Sequence, residues 1–288
     1  MVDSLGQFNP FVVLLTRGDS IVSYRAIIRD FFMKIATFNA NSIRSRLPIL
    51  LSWLDQHQPD VLGIQETKVQ DADFPREAIE AAGWHVVFKG EKSYNGVALI
   101  CRTEPEEVRF GFSDGGPADD TRLVRAVVDG VAVVNTYVPQ GRAIDHAMYQ
   151  YKLRWYKRLK KLFEAEYDAS QPLAWIGDIN IAVEPIDVSN PESHRNDPCY
   201  HIDAHNAFLD VCSFGFEDVF RTHHPGEELF SFFDYRVPNA VKRNIGWRID
   251  YVLATKPLAE RSISCEIDLE PRLMEKPSDH TFMIAEFS

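Results

Sequence analysis

The sequence predicts an α/β fold in four layers, with two packed, mainly antiparallel sheets between outer helices, forming one domain over residues 33–288. Two observations lead to this prediction. Strand-like segments follow one another without intervening helices from residue 84 to residue 137, which favours antiparallel pairing over a β-α-β rhythm. A run of strands followed by a helix then occurs twice, and two sheets covered by helices suit that repetition.

The composition is that of a globular protein. Of 288 residues, 45% are hydrophobic and 12% aromatic, which allows one large core or two small ones. The formal net charge of −11 argues against non-specific coating of nucleic acid, but a local basic surface beside an acidic site stays possible. The four cysteines have no metal-ligand spacing and are too few for a disulfide scaffold. We therefore expect reduced packing cysteines in a cytoplasmic protein.

Residues 1–32 do not fit the domain pattern. The apolar run at residues 11–15 is too short to span a membrane, and no small-residue cleavage site follows it. Met33 opens a strand-like segment and would make a natural start for the domain. We expect residues 1–32 to be an appendage or the product of an early start codon, with a docked helix over residues 21–32 as the alternative.

Hydrophobic periodicity predicts the elements in chain order. The first helix follows Asn41, with Ser42 as its cap and Pro48 in its first turn. Two more helices are predicted over residues 145–167 and 202–214. The predicted strands are residues 34–39, 61–64, 84–88, 97–101, 122–129, 131–137, 229–235, 247–254 and 281–287.

One face of the helix at residues 145–167 is rich in lysine and arginine. We interpret this as a solvated helix face, and contact with a phosphate backbone is the alternative. The residues are Lys152, Arg154, Lys157, Arg158, Lys160 and Lys161.

The segment at residues 175–187 is the centre of the predicted site. Its apolar run is broken by Gly177, and Asp178 and Asn180 follow at the end of a buried strand. Side chains two positions apart in an extended segment point the same way, so this carboxylate and amide can face one water, hard cation or phosphate. The alternative is ordinary turn chemistry at a Gly-Asp pair.

Four further polar signals lie at or beside the ends of predicted strands. Glu66 is either an exposed pair with Lys68 or a metal ligand beside a phosphate contact, and a single histidine such as His280 is more often a satisfied residue than a catalyst. Together, however, these signals describe one site with carboxylates, amides and a histidine. They are Asn39 with Asn41, Glu66, residues 248–251 (RIDY) and residues 278–280 (SDH).

These motifs occur in the order found in a known family. The chain resembles the exonuclease III and apurinic/apyrimidinic endonuclease family of the endonuclease/exonuclease/phosphatase superfamily over nearly everything after Met33. The resemblance implies a deoxyribonuclease I-like fold and a metal-dependent phosphodiesterase. The matching stretches are residues 38–41 (FNAN), 62–68 (LGIQETK), 94–98 (YNGVA), 135–141 (NTYVPQG), 177–182 (GDINIA), 232–236 (FFDYR), 246–251 (GWRIDY) and 278–280 (SDH).

The resemblance implies a metal site. Glu66 would be the principal Mg²⁺ ligand, with Asn41 and Asp279 near the cation or its water shell, and Mn²⁺ could substitute. Some abasic-site enzymes of the family have Asp at the position of Asn41, so the amide would hold the cation more weakly from that side. The residues implied near the metal are Asn41, Glu66, Asp178, Asn180, Asp279 and His280.

The resemblance also implies catalytic roles. Asp178 would orient or deprotonate the attacking water, and Asn180 would hold the phosphate. His280, fixed by Asp250, would contact the phosphate, and Tyr137 would lie near the phosphate or the leaving oxygen. Phosphodiester hydrolysis requires such a set, because charge builds on the non-bridging oxygens and must be offset by a cation and hydrogen-bond donors.

The expected partner is duplex DNA with abasic sites or 3′ ends, with no membrane partner and a monomeric enzyme. Residues 232, 247 and 249 would form an apolar pocket for a bare sugar, although packing in the core is the alternative for Phe232 and Trp247. The implied substrate-binding residues are Asn39, Lys68, Arg142, Phe232, Trp247 and Ile249.

The sequence disfavours two other functions. A phosphatase of inositol phosphates or phospholipids is disfavoured because those relatives generally carry a histidine at the position of Tyr137. A DNA-binding protein without catalysis is disfavoured because none of the matched polar positions is apolar. The balance of 3′-to-5′ exonuclease, 3′-phosphatase and abasic-site endonuclease activity depends on loops at Arg142, residues 191–200 and residues 220–228.

Overall fold

The structure is a computed structural model that describes residues 32–288. The expectations for an appendage or a docked helix therefore lie almost wholly outside the described residues. Within residues 32–288, no helix is both long enough and apolar enough to cross a membrane.

Twelve strands and six α-helices make up the described part of the chain. The strands are β1 (Met33–Asn39), β2 (Val61–Gln65), β3 (His85–Lys89), β4 (Val97–Cys101), β5 (Glu106–Phe110), β6 (Leu123–Val128), β7 (Val131–Tyr137), β8 (Leu173–Asp178), β9 (Phe216–Asp218), β10 (Asp250–Thr255), β11 (Ser262–Asp268) and β12 (Phe282–Phe287). The helices are α1 (Ile43–His57), α2 (Arg76–Ala81), α3 (Ala147–Glu166), α4 (Ile202–Cys212), α5 (Val219–His223) and α6 (Lys256–Ala259).

The strands form two six-stranded sheets, in the orders β11-β12-β1-β2-β4-β3 and β5-β6-β7-β8-β10-β9. In each sheet one central pair is parallel, β1 with β2 and β7 with β8, and the other pairs are antiparallel. The prediction of two mainly antiparallel sheets is confirmed. The parallel pairs bring Asn39 level with Gln65, and Tyr137 level with Asp178, at the carboxyl ends of their strands.

Alternation along the central strands builds the four layers. Ile35 and Ile176 point into the core between the sheets, whereas their neighbours Ala36 and Trp175 point outward. The outward side chains of the first sheet pack under α1 and α2, and those of the second sheet pack under α3 and α4. Each sheet is therefore buried on both faces, which explains the continuous apolar runs in its central strands.

Three strands and three short helices were not predicted from the sequence. The strands β5, β9 and β11 all lie at a sheet edge, where much of each strand faces solvent and the apolar pattern is broken. The predicted strand at residues 229–235 is wrong, because only Phe232 pairs there, through isolated bridges to Trp247 and His280. The strand predicted from residue 247 begins at Asp250 instead.

Two predictions about the helices also need correction. Pro48 lies inside α1, beyond its first turn, and the Ser42 side chain at the cap position accepts no hydrogen bond from a backbone N–H of α1. The interpretation of a solvated face on α3 holds for Arg154, Lys157 and Lys161, which are exposed. It is wrong for Lys152, whose side chain is fully buried.

Candidate active site

The candidate site lies where the carboxyl ends of β1, β2, β7 and β8 meet between the two sheets. The side chains there line a cavity of about 310 Å³ that opens to solvent. Nine of the residues predicted for the site line this cavity. They are Glu66, Tyr137, Asp178, Asn180, Phe232, Trp247, Ile249, Asp279 and His280.

Unusual backbone conformations aim the key side chains into the cavity. Glu66 and Asn180 each follow a strand and adopt left-handed conformations, with φ of 50° and 54°. Gly177 has φ of 135°, and a Cβ at this position would lie 2.0 Å from the carbonyl oxygen of Thr136. Because its backbone is left-handed, Asn180 is not part of an extended strand. The prediction that Asp178 and Asn180 point the same way because they lie two positions apart in a strand is therefore wrong in its reason, although both side chains face the cavity.

Asn39 joins the two sheets at the site. Its buried amide Nδ2 donates to Glu66 Oε1 and to Asp178 Oδ2, each at 2.8 Å. Its Oδ1 accepts from the backbone N–H of Asn41 at 3.0 Å. Because Glu66 comes from one sheet and Asp178 from the other, this single amide fixes the distance between two carboxylates that would otherwise repel each other.

A lysine neutralises Glu66 from the solvent side. Lys68 Nζ lies 2.6 Å from Glu66 Oε2 and also donates to Asn41 Oδ1, while Asn41 Nδ2 donates to Asp279 Oδ1 at 2.8 Å. Burial alone would raise the pKa of Glu66, but the Lys68 ammonium holds the pKa of that carboxyl below its ordinary value. Glu66 is therefore anionic at neutral pH.

His280 lies between two carboxylates. Its Nδ1 is 2.8 Å from Asp250 Oδ2 and its Nε2 is 3.8 Å from Asp178 Oδ2. Burial alone would lower the pKa of His280, but Asp250 and Asp178 raise it to about 10, so the imidazole is charged at neutral pH. Burial raises the pKa of Asp178 to about 8, against the opposing effect of His280. Asp178 therefore binds a proton more tightly than an ordinary aspartate does, and it lies beside a cationic donor.

Tyr137 presents a neutral phenol to the same space. Burial raises its pKa well above the ordinary value, and the carboxylates of Glu66 and Asp178 add to this effect. The Arg122 guanidinium lies 4.7 Å from the ring centre and donates to the Tyr137 carbonyl at 3.2 Å. Arg122 thus holds the Tyr137 ring in place, and the neutral hydroxyl can act as a hydrogen-bond donor.

The site can hold a cation. Within residues 32–288, the ligand atoms of Glu66, Asp178 and His280 lie within 4.8 Å of one another. Behind His280, the buried Oδ1 of Asp250 has no hydrogen-bond partner among the residues that the structure describes. The two carboxylates suit a divalent cation, and their oxygen donors suit Mg²⁺ or Mn²⁺, whereas His280 in its charged form offers no free lone pair to a metal.

An apolar wall stands beside the polar cluster. Ile249 is buried, whereas Phe232 and Trp247 are partly exposed to the cavity. Ring centres of Phe232 and His280 are 4.9 Å apart, and His194 meets the Trp247 ring edge-on at 4.6 Å. Phe232 and Trp247 therefore pack against other side chains and also face the cavity. Packing and lining a pocket, the two roles predicted for these residues, are thus compatible with each other.

The remaining predicted residues lie around the cavity or away from it. Asn39, Asn41 and Lys68 hold its carboxylates, and Asp250 supports His280 from behind. Arg142 is exposed and does not line the cavity, so the structure does not bring it to the site. Its left-handed backbone, with φ of 65°, is fixed by a hydrogen bond from its N–H to Gln140 Oε1 at 2.6 Å.

Several lining residues were not predicted. Three lie in stretches already matched to the family, so proximity to a motif could have indicated them. The other three come from the loop at residues 187–200, where no periodic pattern points a side chain in any direction. The unpredicted lining residues are Gln140, Asp234 and Arg236 from the first group and His194, Asp197 and Cys199 from the second.

Comparison with known proteins agrees with this geometry. The profile of the Endonuclease/Exonuclease/phosphatase family matches residues 36–280. Exodeoxyribonuclease III of Haemophilus influenzae is 36% identical, with 88% of this chain and 100% of that protein covered. The fold and site thus define a class of phosphoester hydrolases, and the chain belongs to the endonuclease/exonuclease/phosphatase family.

Two solved structures are also similar to this chain. An AP endonuclease from Archaeoglobus fulgidus is 50% identical, with a TM-score of 0.87 and coverage of 89% of this chain and 99% of that one. A 3′ phosphatase from Neisseria, bound to a product DNA hairpin, is 34% identical, with a TM-score of 0.83 and coverage of 89% and 99%.

Proposed function

We propose that this chain is a DNA-repair nuclease that hydrolyses phosphodiester bonds at abasic sites and at 3′ ends of duplex DNA with Mg²⁺ as its cofactor. The observation that carries the proposal is the cluster of Glu66 with the buried Asp178 and His280 beside an apolar wall. The relatives described above bear the names of DNA enzymes, which favours DNA over an inositol phosphate as the substrate.

The residues divide the work of hydrolysis. Asp178 accepts the proton of the attacking water, for which its raised pKa suits it. The charged His280 donates from Nε2 to a phosphate oxygen, and Asp250 keeps the ring oriented through Nδ1. One N–H of the Asn180 amide donates to the Val138 carbonyl at 2.9 Å, which leaves the other for the phosphate.

Glu66 would hold the cation together with Asp178, whose ligand atoms lie within 4.8 Å of one another, and the hydrogen-bonded side chains of Asn41 and Asp279 would bind the cation or its water shell. Bound Mg²⁺ would offset the negative charge that builds on the non-bridging oxygens during attack. The Tyr137 hydroxyl then donates to the phosphate or to the leaving oxygen. Each donor faces a position where charge develops, which is the arrangement that lowers the barrier most.

Selection of the substrate is assigned to the apolar wall. A nucleotide without its base loses less stacking and pairing when it leaves the helix. The apolar surface of Phe232, Trp247 and Ile249 in the cavity suits contact with a bare deoxyribose, and we assign exclusion of a sugar that carries its base to the same three side chains. Lys68 and Asn39 hold the carboxylates of the site, and their predicted contact with the substrate stays a prediction. We further propose that the enzyme acts as a monomer in the cytoplasm.

The experiment is cleavage of two duplexes, one with an abasic-site analogue and one with a recessed 3′ end. Each is incubated with wild-type protein in Mg²⁺, in Mn²⁺ and in EDTA. The proposal predicts cleavage 5′ to the abasic site or loss of 3′ nucleotides with either metal and none in EDTA. Equal cleavage in EDTA, or hydrolysis of inositol phosphates with both duplexes untouched, would overturn it.

A further inference from the structure

A buried ammonium lies beneath the floor of the cavity. Lys152 is on α3, its side chain is fully buried, and within residues 32–288 no carboxylate lies within 4.0 Å of its Nζ. A charge in such a place is costly unless hydrogen bonds replace its hydration. A methionine would fill a similar volume without that cost, so packing does not explain a lysine here.

The three hydrogens of this ammonium match three backbone acceptors. Nζ donates to the carbonyl oxygens of Asn180 at 2.6 Å, Pro198 at 2.8 Å and Gln140 at 3.2 Å. Within the described part of the chain, Nζ is the only hydrogen-bond donor to the carbonyls of Asn180 and Pro198. Without it these buried acceptors would be unsatisfied.

The three carbonyls belong to three separate segments that line the cavity. Gln140 follows β7, Asn180 follows β8, and Pro198 precedes Cys199 in the loop that also carries His194 and Asp197. One side chain therefore ties the floor of the cavity to its lateral loop. Asn180 also has a left-handed conformation, which asparagine tolerates better than most residues with a Cβ, and the hydrogen bond from Lys152 holds its carbonyl in that conformation.

We propose that Lys152 is a positioning residue for phosphodiester hydrolysis, which sets the place of Asn180 and of the loop at residues 197–200 through three backbone hydrogen bonds. It touches neither substrate nor the reacting atoms. The inference rests on the proposed function, because it assigns Asn180 to the phosphate. It predicts that loss of Lys152 slows the reaction itself more than it weakens substrate binding.

The test compares Lys152→Met with Leu162→Ala, a matched control that removes buried side-chain atoms from the same helix away from the cavity. Both variants are assayed well below their melting temperatures on the abasic-site duplex with Mg²⁺. For Lys152→Met we expect kcat to fall about 10- to 100-fold, as for small displacements of a reacting group. KM should change by less than about threefold, and Leu162→Ala should keep both parameters near wild type.

Hydrogen exchange of backbone amides supplies a readout that does not depend on activity. Lys152→Met should speed exchange at residues 138–142, 179–182 and 197–200 together, whereas Leu162→Ala should leave them unchanged. If wild-type protein cleaves no duplex, the proposed function fails, and this exchange measurement still decides whether Lys152 holds the three segments.

Three results would overturn the inference. One is a wild-type kcat in Lys152→Met. Another is a fall in kcat that reflects only the fraction of unfolded protein, which comparison with the Leu162→Ala control would show. If Lys152→Met does not fold, Lys152→Gln, which keeps two N–H donors, replaces it and should show an intermediate kcat. Failure of both variants to fold would make Lys152 a requirement of the fold and would also refute the positioning role.

Discussion

The two halves of the site are built differently. The polar half stands on strand ends: Asn39, Glu66, Tyr137 and Asp178 end or directly follow β1, β2, β7 and β8. The other half stands on loops, where His194, Asp197, Asp234 and Arg236 face the same cavity from segments without regular pairing. Since paired strands fix side chains more rigidly than loops do, we infer that the strand half carries the chemistry and the loop half carries the selection of substrate.

The contrast in hydrogen bonding supports this division. In the strand half, one amide, Asn39 Nδ2, holds Glu66 and Asp178 at 2.8 Å each, and Asp250 holds His280 at 2.8 Å. In the loop half, Arg236 pairs with Asp234 at the surface, and its side chain is 89% exposed. An exposed pair contributes little fixed geometry. Changes in the two halves should therefore have different consequences.

The largest effect is expected from Asp178→Asn. Loss of the proton acceptor should lower single-turnover cleavage by about 10⁴-fold. DNA binding should stay equal or become tighter, because a negative charge near the phosphate is removed. Gel shift and single-turnover assays measure the two quantities separately. Equal losses in rate and binding would show that Asp178 is not the proton acceptor. They would contradict the assignment of the chemistry to the strand half of the site.

The same variant should be more stable than wild type near neutral pH. Burial raises the pKa of Asp178 to about 8, above the ordinary value for aspartate. A group whose pKa is higher in the folded state loses stability as pH rises between its unfolded and folded pKa values, so at pH 7 the fold bears the cost of keeping Asp178 protonated. Thermal melting in EDTA should show a higher Tm for Asp178→Asn at pH 7 than for wild type. A lower Tm would mean that neighbouring groups fully offset the cost of burying the Asp178 side chain.

Glu66→Gln should have the next largest effect. The amide removes the anionic metal ligand at nearly unchanged volume, so the rate at limiting Mg²⁺ should fall about 1,000-fold. Excess Mg²⁺ should restore part of it, and the exposed Glu260→Gln serves as the control with no expected change. A wild-type rate for Glu66→Gln across the Mg²⁺ titration would show that the ligand lies elsewhere.

Trp247→Ala tests the apolar wall and should act on selectivity rather than on rate alone. Cleavage at an abasic-site analogue relative to cleavage at intact nucleotides should fall about tenfold, which is typical of one altered wall in an apolar pocket. Trp84→Ala, a buried tryptophan away from the cavity, is the matched control for lost packing. If both variants keep the wild-type ratio, Trp247 serves only packing and selection must come from other loop residues.

The smallest effect is expected from removal of residues 1–32. The family match begins at residue 36, Met33 opens β1, and every residue assigned to either half of the site lies after the removed segment. Turnover should be unchanged and Tm should shift by less than about 5 °C. A larger fall in Tm would show that this segment contributes a docked element, and a fall in rate alone would show that it reaches the substrate.

The sequence was informative where strands carry the site and uninformative where loops do. Glu66, Asp178 and His280 could be named because each follows or precedes an apolar run that predicts a strand. His194 and Asp197 could not, because their orientation depends on how one irregular loop folds over the cavity. Lys152 was misread for a related reason: helical periodicity places it on a charged face, and only the tertiary structure shows three backbone carbonyls around its ammonium.

One measurement tests the division between the halves most directly. Asp178→Asn and Trp247→Ala are each assayed in Mg²⁺ on the abasic-site duplex and on the duplex with a recessed 3′ end, and the ratio of the two rates is compared with wild type. We predict that Asp178→Asn lowers both rates by the same factor and leaves the ratio unchanged, whereas Trp247→Ala shifts the ratio by about tenfold. A shifted ratio in Asp178→Asn, or equal losses on both duplexes in Trp247→Ala, would contradict the account.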